Sequence, residues 1–210
     1  MGTPTVIVSR HGSTQNEDSL GTAGGKIGGW LDYPLDEAGR REAVKLAKSL
    51  KQFTIDRIVS SDLRRALDTA VEIQRQQKSH PVLNVSHSLR TWNLADLAGQ
   101  EVSKVKDQIN QLVVKTHTPA PGKGETFSEF SGRVIRFLNT VLGYVERTGQ
   151  TVCLATHGRV TRIIQVMIET GEKGLTPRNI NGSHSGLETG EAFLITKSGK
   201  NWKIDKVKNG

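Results

Sequence analysis

Two histidines in this 210-residue chain stand in matching settings, His11 before Gly12 and His157 before Gly158. Each follows a short apolar run, Thr5–Ser9 for the first and Thr151–Thr156 for the second. Runs of this kind predict buried strands. In an open parallel sheet, ligands bind beyond the carboxyl ends of the strands. The two histidines are 146 residues apart in sequence, yet both are expected at one sheet edge. Arginines join them. Arg10 adjoins His11, and Arg64 and Arg65 lie just past a third predicted strand, Ile55–Ser60, at the start of a helix. An arginine at such a place holds a phosphate through paired hydrogen bonds, and a helix N-terminus adds favourable potential for an anion. Adjacent helical residues point about 100° apart, so one of Arg64 and Arg65 is expected to face solvent. Two histidines and two arginines on one rim point to phosphoryl chemistry.

The elements that would carry these residues follow from periodicity. Ala43, Leu46, Ala47 and Leu50 fall on one helical face, with Asp36 as a plausible cap. Leu63, Ala66, Leu67 and Ala70 mark a second helix, with Asp62 near its start. Pro81–Ser86 reads as a weaker strand, and Val102, Val105, Ile109 and Leu112 as a helix after Gly99. The prolines and glycines of Thr116–Gly124 predict a loop. Phe127, Phe130, Val134, Phe137, Leu138, Val141 and Val145 mark the longest helix, and Val160, Ile163, Ile164 and Met167 the next. Ala192–Thr196 and Trp202–Val207 read as a final hairpin around Ser198-Gly199-Lys200. Strands alternating with helices predict an α/β fold with a mainly parallel sheet. No repeat, low-complexity linker or domain boundary interrupts residues 1–210, which read as a single domain.

Composition narrows the possibilities. Lys and Arg number 29 against 21 Asp and Glu, a formal charge of +8. Residues 1–105 hold 14 basic and 12 acidic side chains, and residues 106–210 hold 15 and 9. A basic chain favours anionic partners. No nucleic-acid motif or aromatic-interleaved basic stripe accompanies that charge, so no nucleic-acid partner is expected. Lysines 197, 200, 203, 206 and 208 read as a solvated face. The single cysteine, Cys153, excludes an intrachain disulfide framework and a multi-cysteine zinc site. It lies in an apolar run and reads as a buried, inert thiol. No signal peptide or membrane span is apparent, which makes a reducing cytoplasm the expected compartment. No ligand spacing suggests a metal, and no cofactor is expected. The oligomeric state is open between monomer and homodimer.

Longer motifs sharpen the reading. Arg10-His11-Gly12-Ser13-Thr14-Gln15-Asn16 fits an Arg-His-Gly-x-Thr-x-Asn pattern. Gly29-Trp30-Leu31-Asp32-Tyr33-Pro34-Leu35 follows, then Ala38-Gly39-Arg40. Ser60-Ser61-Asp62-Leu63-Arg64-Arg65-Ala66 is followed by Thr69-Ala70, and Gly124-Glu125-Thr126-Phe127 and Thr156-His157-Gly158 complete the series. In this order the motifs resemble the histidine phosphatase superfamily, branch 1, the phosphoglycerate mutase-like group. The resemblance implies a three-layer α/β/α sandwich. It implies that His11 is the nucleophile, forming a phosphohistidine, and that Arg10, Arg65, His157 and Asn16 bind the phosphoryl group. Arg64 becomes the solvent-facing neighbour. The implied activity is metal-independent hydrolysis of a small phosphomonoester, a phosphorylated metabolite. The alternatives are a phosphoglycerate-type mutase and a catalytically weak phosphate-binding or scaffold protein.

One departure stands out. The family's Leu-Arg-Glu segment, whose glutamate protonates the leaving oxygen, reads Leu89-Arg90-Thr91 here. A threonine cannot act as a carboxylic acid. Asp96 is the nearest carboxyl group along the chain and is the expected acid, with Glu125 the second candidate. Trp30 and Trp92 are expected either at the mouth of the site or over the core. His80, His87, His117 and His184 read as exposed loop residues.

Overall fold

The run Thr5-Val-Ile-Val-Ser-Arg10 has apolar, β-branched side chains on both faces, which suits a strand buried on both sides. The computed structural model describes residues 5–15, 25–176, 179–180 and 186–207. In it this run is β1 (Thr5–Arg10), followed by α1 (Glu37–Ser49), β2 (Arg57–Ser60), α2 (Arg64–Gln76) and β3 (Val82–Val85). Then come α3 (Val102–Val114), α4 (Phe127–Thr148), β4 (Thr151–Thr156), α5 (Gly158–Thr170), β5 (Ala192–Ser198) and β6 (Asn201–Lys206).

The strands form one sheet in the order β3-β2-β4-β1-β5-β6. The first four in that order pair in parallel, while β5 and β6 are antiparallel. Both faces are covered. Ile7, Ile58 and Cys153 pack with Leu46, Leu50 and Ile73 of the α1–α2 side. Val6, Val8, Val152 and Leu154 pack with Ile109, Leu138 and Ile163 of the α3–α5 side. This is a three-layer α/β/α sandwich. Burial pushes the Cys153 thiol up to about 12, which keeps it protonated and inert.

Local chemistry sets the helix ends. Asp36 caps α1, its Oδ1 accepting from Gly39 N at 2.7 Å. Thr126 and Glu129 form a reciprocal capping box at the start of α4. Asp62 does not cap α2, whose N-cap is Leu63. Its carboxylate instead takes the guanidinium of Arg90, with Nε at 2.7 Å, and lies 3.3 Å from His87. Of the two places open to it, Trp92 takes the core. It is fully buried, stacked on Phe130 at 5.8 Å and edge-on to Phe127 at 5.4 Å. Trp30 is half-buried and donates through Nε1 to Thr91 O at 2.8 Å. His80, His87 and His117 are exposed, and His184 lies outside the described residues.

Register decides what the sheet presents at its carboxyl edge. Arg10 at the end of β1 pairs with Thr156 at the end of β4, and Ser60 at the end of β2 pairs with Ala155. The three strands therefore finish level and side by side.

Candidate active site

His11, Ser61 and His157 are the first residues past those three strand ends. The His11 N–H donates to Thr156 O at 2.9 Å, continuing the ladder by one bond. Its ring nitrogen Nδ1 lies 2.7 Å from Gly12 O. A carbonyl can only accept, so Nδ1 carries the proton and Nε2 is the basic nitrogen. Gly12 is required here by close approach, because a Cβ would lie 2.2 Å from Gly39 O. The two imidazoles meet edge to face, centroids 5.1 Å apart, and each is about 1% exposed.

His157 Nε2 lies 2.9 Å from Ser61 Oγ. Burial foremost, then the positive charges of Arg65, Arg10 and Arg133 and the neighbouring His11 ring, hold its pKa well below the usual 6.5. It is neutral at pH 7, with one ring proton.

The arginine pair separates as helical geometry requires. Arg65 is fully buried, whereas Arg64 is exposed beside Asp68. Arg65 donates from Nη1 to Leu31 O at 2.8 Å and from Nη2 to Gly29 O at 2.9 Å. Arg10 is 9% exposed and donates from Nη1 to Leu187 O at 3.0 Å. Gly158 packs on the Arg10 guanidinium, where a Cβ would lie 3.2 Å from Cζ. These carbonyls fix the two guanidinium groups without neutralising their charge. Among the described residues, His157 Nδ1 and Arg10 Nε are buried with no hydrogen-bond partner. Buried polar atoms are normally satisfied, and with a proton on Nδ1 both would be met by an anion bound beside them. The N-terminus of α5, which begins at Gly158, adds further positive potential.

The structure brings Arg10, His11, Arg65 and His157 together and leaves other candidates elsewhere. Asn16 lies outside the described residues. Asp96 is exposed in a short 3-10 turn, Ala95–Leu97, with its N–H on Pro121 O and its carboxylate against Gly122. Arg133 grips both oxygens of Glu125 at 2.7 and 2.9 Å, and Asn93 N donates to Oε2 at 2.9 Å.

Sequence reasoning passed over Ser61, Thr69 and Arg133. Thr69 Oγ1 accepts from Gly12 N at 3.3 Å and donates to Arg65 O at 2.8 Å, joining the two halves of the cluster. Ser61 and Thr69 lie within the quoted motif around Arg65, which was their only signal. Arg133, on α4, also donates to the carbonyls of Ser88, Arg90 and Thr91. It thereby fixes the segment that borders the site. Among the described residues no group of His, Cys, Asp or Glu is placed to hold a metal ion. None of the described helices is long and apolar enough to cross a membrane.

The fold and the cluster define an α/β/α protein with histidine and arginine gathered at the strand ends. Residues 6–191 match the model of the histidine phosphatase superfamily (branch 1), and the chain belongs to that family. It is 32% identical over 174 residues to the 2,3-bisphosphoglycerate-dependent phosphoglycerate mutase of Bartonella henselae, covering 79% of this chain and 81% of that protein. It is 28% identical over 169 residues to a metal-independent phosphoserine phosphatase of Arabidopsis thaliana, covering 78% of this chain and 68% of that protein. In fold it is similar to a mycobacterial glucosyl-3-phosphoglycerate phosphatase, with a TM-score of 0.75, 23% identity and 98% of each chain covered. Both phosphatases and mutase-like proteins thus stand among its relatives.

Proposed function

We propose that this chain is a metal-independent phosphatase that hydrolyses a small phosphomonoester through a phosphohistidine on His11. The observation that carries the reading is the tautomer of His11. With Nδ1–H given to Gly12 O, Nε2 is a neutral nucleophile within a group of fixed cations and donors. His11 Nε2 attacks phosphorus, and the bond to the leaving oxygen breaks. Water then attacks the phosphohistidine, the P–N bond breaks, and phosphate departs. Covalent catalysis splits one hard displacement into two easier ones. Arg10 and Arg65 would hold the equatorial oxygens in both steps. His157 would donate from Nδ1 while Nε2 accepts from the Ser61 hydroxyl. Asn16 would add a neutral hydrogen bond. The substrate is a small phosphorylated metabolite, with no role for nucleic acid or membrane, and the single buried thiol suits a reducing cytoplasm.

A phosphoglycerate-type mutase is the second reading, favoured by the similarity to the Bartonella henselae enzyme. A phosphatase screen over sugar phosphates, nucleotides and phosphorylated acids, with H11A as control, tests the proposal. Phosphate release lost in H11A is the expected result. Efficient phosphoryl transfer between phosphoglycerates with negligible hydrolysis would establish the mutase instead. Phosphate binding without turnover would leave a binding protein.

A further inference from the structure

We infer that Trp30 is a positioning residue of the phosphoryl site, its indole holding the turn whose carbonyls orient Arg65. The inference rests on the proposed binding of a phosphoryl group by Arg65. Arg65 donates from Nη1 to Leu31 O at 2.8 Å and from Nη2 to Gly29 O at 2.9 Å. Trp30 stands between those two acceptors in the chain. A planar guanidinium held at both terminal nitrogens has its plane fixed, and with it the directions in which it can meet an anion. The two acceptors belong to one turn, Gly28–Leu31, closed by Leu31 N on Gly28 O at 3.0 Å. Movement of that turn would carry the guanidinium with it.

Neighbours along the chain hold the ends of the turn. Ile27 N donates to Gln100 O at 2.8 Å, and Ile27 O accepts from Gly99 N at 2.7 Å. On the other side, Asp32 Oδ1 accepts from Arg64 N at 2.6 Å. The apex has fewer means of attachment. Gly28 and Gly29 carry no side chain and Leu31 is exposed, whereas Trp30 is half-buried. Its indole is held at two places. Nε1 donates to Thr91 O at 2.8 Å, and Arg90 Cζ lies 4.6 Å from the ring centre. Both holders are themselves fixed. Thr91 O also accepts from Arg133 Nη2 at 2.8 Å, so one carbonyl joins α4 to the turn. Arg90 grips both oxygens of Asp62, which stands three residues before Arg65. The contacts close a ring that runs from Arg65 to the turn, through Trp30 to Arg90, and through Asp62 back to the start of α2.

This placement gives Trp30 a role through Arg65 rather than on the substrate. A shift of about 1 Å in a group that binds the transferring phosphoryl can cost about 10²-fold in rate. A residue that acts through Arg65 matters only while Arg65 is there to be oriented. Its loss should therefore weaken the binding of any phosphoryl-like anion and be indifferent to the leaving group. A tryptophan that lined the mouth and touched the substrate would behave in the opposite way, sensing the leaving group and sparing the bare anion.

A mutant cycle on the full chain tests this, read by calorimetric titration with orthovanadate and by hydrolysis of p-nitrophenyl and 1-naphthyl phosphate. W30A should weaken vanadate binding at least about tenfold, and W30F, which keeps a ring against Arg90 but loses the N–H, about fivefold. Placed on R65K, either change should cost less than about twofold more, because the group it positions is already altered. A merely structural tryptophan would show no such coupling. The kcat/KM of both esters should fall by the same factor. Should W30A not fold, W30F completes the same cycle. Losses from W30F and R65K that multiply in the double variant would overturn the inference, as would vanadate binding unchanged in W30F, or a loss confined to the naphthyl ester. R65K that binds vanadate like the wild type would remove Arg65 and this inference with it. Failure to hydrolyse p-nitrophenyl phosphate, or hydrolysis that survives H11A, would instead sink the phosphatase reading, and the vanadate cycle would still judge Trp30. A wild type that binds no vanadate would sink both.

Discussion

His11 and His157 meet edge to face at the ends of two adjacent parallel strands, ring centroids 5.1 Å apart and planes inclined at 63°. The two rings are fixed differently. His11 gives Nδ1–H to a main-chain carbonyl, whereas His157 is held by the Ser61 hydroxyl. One ring is thereby set to attack and the other to bind. Removing the attacking ring in H11A should lower kcat for p-nitrophenyl phosphate by at least about 10³-fold. Rapid acid-free quenching followed by mass spectrometry should find a phosphoryl adduct on His11 in the wild type and none in H11A. An adduct on another residue would move the nucleophile.

The neutral state of His157 makes stability depend on pH. In the unfolded chain its pKa returns to about 6.5, while burial and nearby arginines hold the folded value well below that. Between the two values the unfolded state binds more protons, so stability falls as pH falls. The contribution is complete above about pH 6.5 and is lost on descending toward the folded pKa. The urea midpoint should drop more between pH 7.5 and 5 in the wild type than in H157Q. Inorganic phosphate should lessen the drop, because a bound anion favours the protonated ring.

Arg65 and Arg64 are adjacent, yet only Arg65 is buried, its two terminal nitrogens on the carbonyls of Leu31 and Gly29. A lysine cannot reproduce that fork. R65K should lower kcat/KM for p-nitrophenyl phosphate by about 10²-fold, within the range of one transition-state donor. R64A should change it by less than about twofold, as for an exposed substitution. Equal losses in the two variants would contradict the placement.

Glu125 and Asp96 test the missing acid. The Glu125–Arg133 pair is largely buried and ties the start of α4 to the segment bordering the site. E125Q should cost about 2–4 kcal/mol in denaturant unfolding. Its loss of activity should be similar for good and poor leaving groups. An acid would instead lose most on poor ones. D96N, at an exposed carboxylate, should alter kcat/KM by less than about twofold.

Gly158 lies against the face of the Arg10 guanidinium. A methyl group in G158A would press on that side chain at 3.2 Å and shift it by a few tenths of an ångström. Loss of phosphate contact should raise the inhibition constant for inorganic phosphate while far-ultraviolet circular dichroism stays unchanged.

Much of the fold was legible because burial writes a local period. The apolar runs at Thr5–Ser9 and Thr151–Thr156 are strands, the stripe at Ala43, Leu46, Ala47 and Leu50 is the inner face of α1 and its end, and Asp36 caps it. Strand ends are legible for the same reason, which is how His11 and His157 were brought to one edge from 146 residues apart. Helical geometry alone required that Arg64 and Arg65 differ in exposure. The family resemblance named Arg65 as the inward one, and the tertiary structure supplies what holds it, the carbonyls of Gly29 and Leu31 on a loop far back in the chain. Tertiary structure likewise supplies the partners of Glu125, whose carboxylate Arg133 and Asn93 hold. Trp92 took the core because two phenylalanines of α4 converge on it. Periodicity records which face of an element is buried. It does not record which distant donor or carbonyl a polar group will meet, and that pairing sets the chemistry of the site.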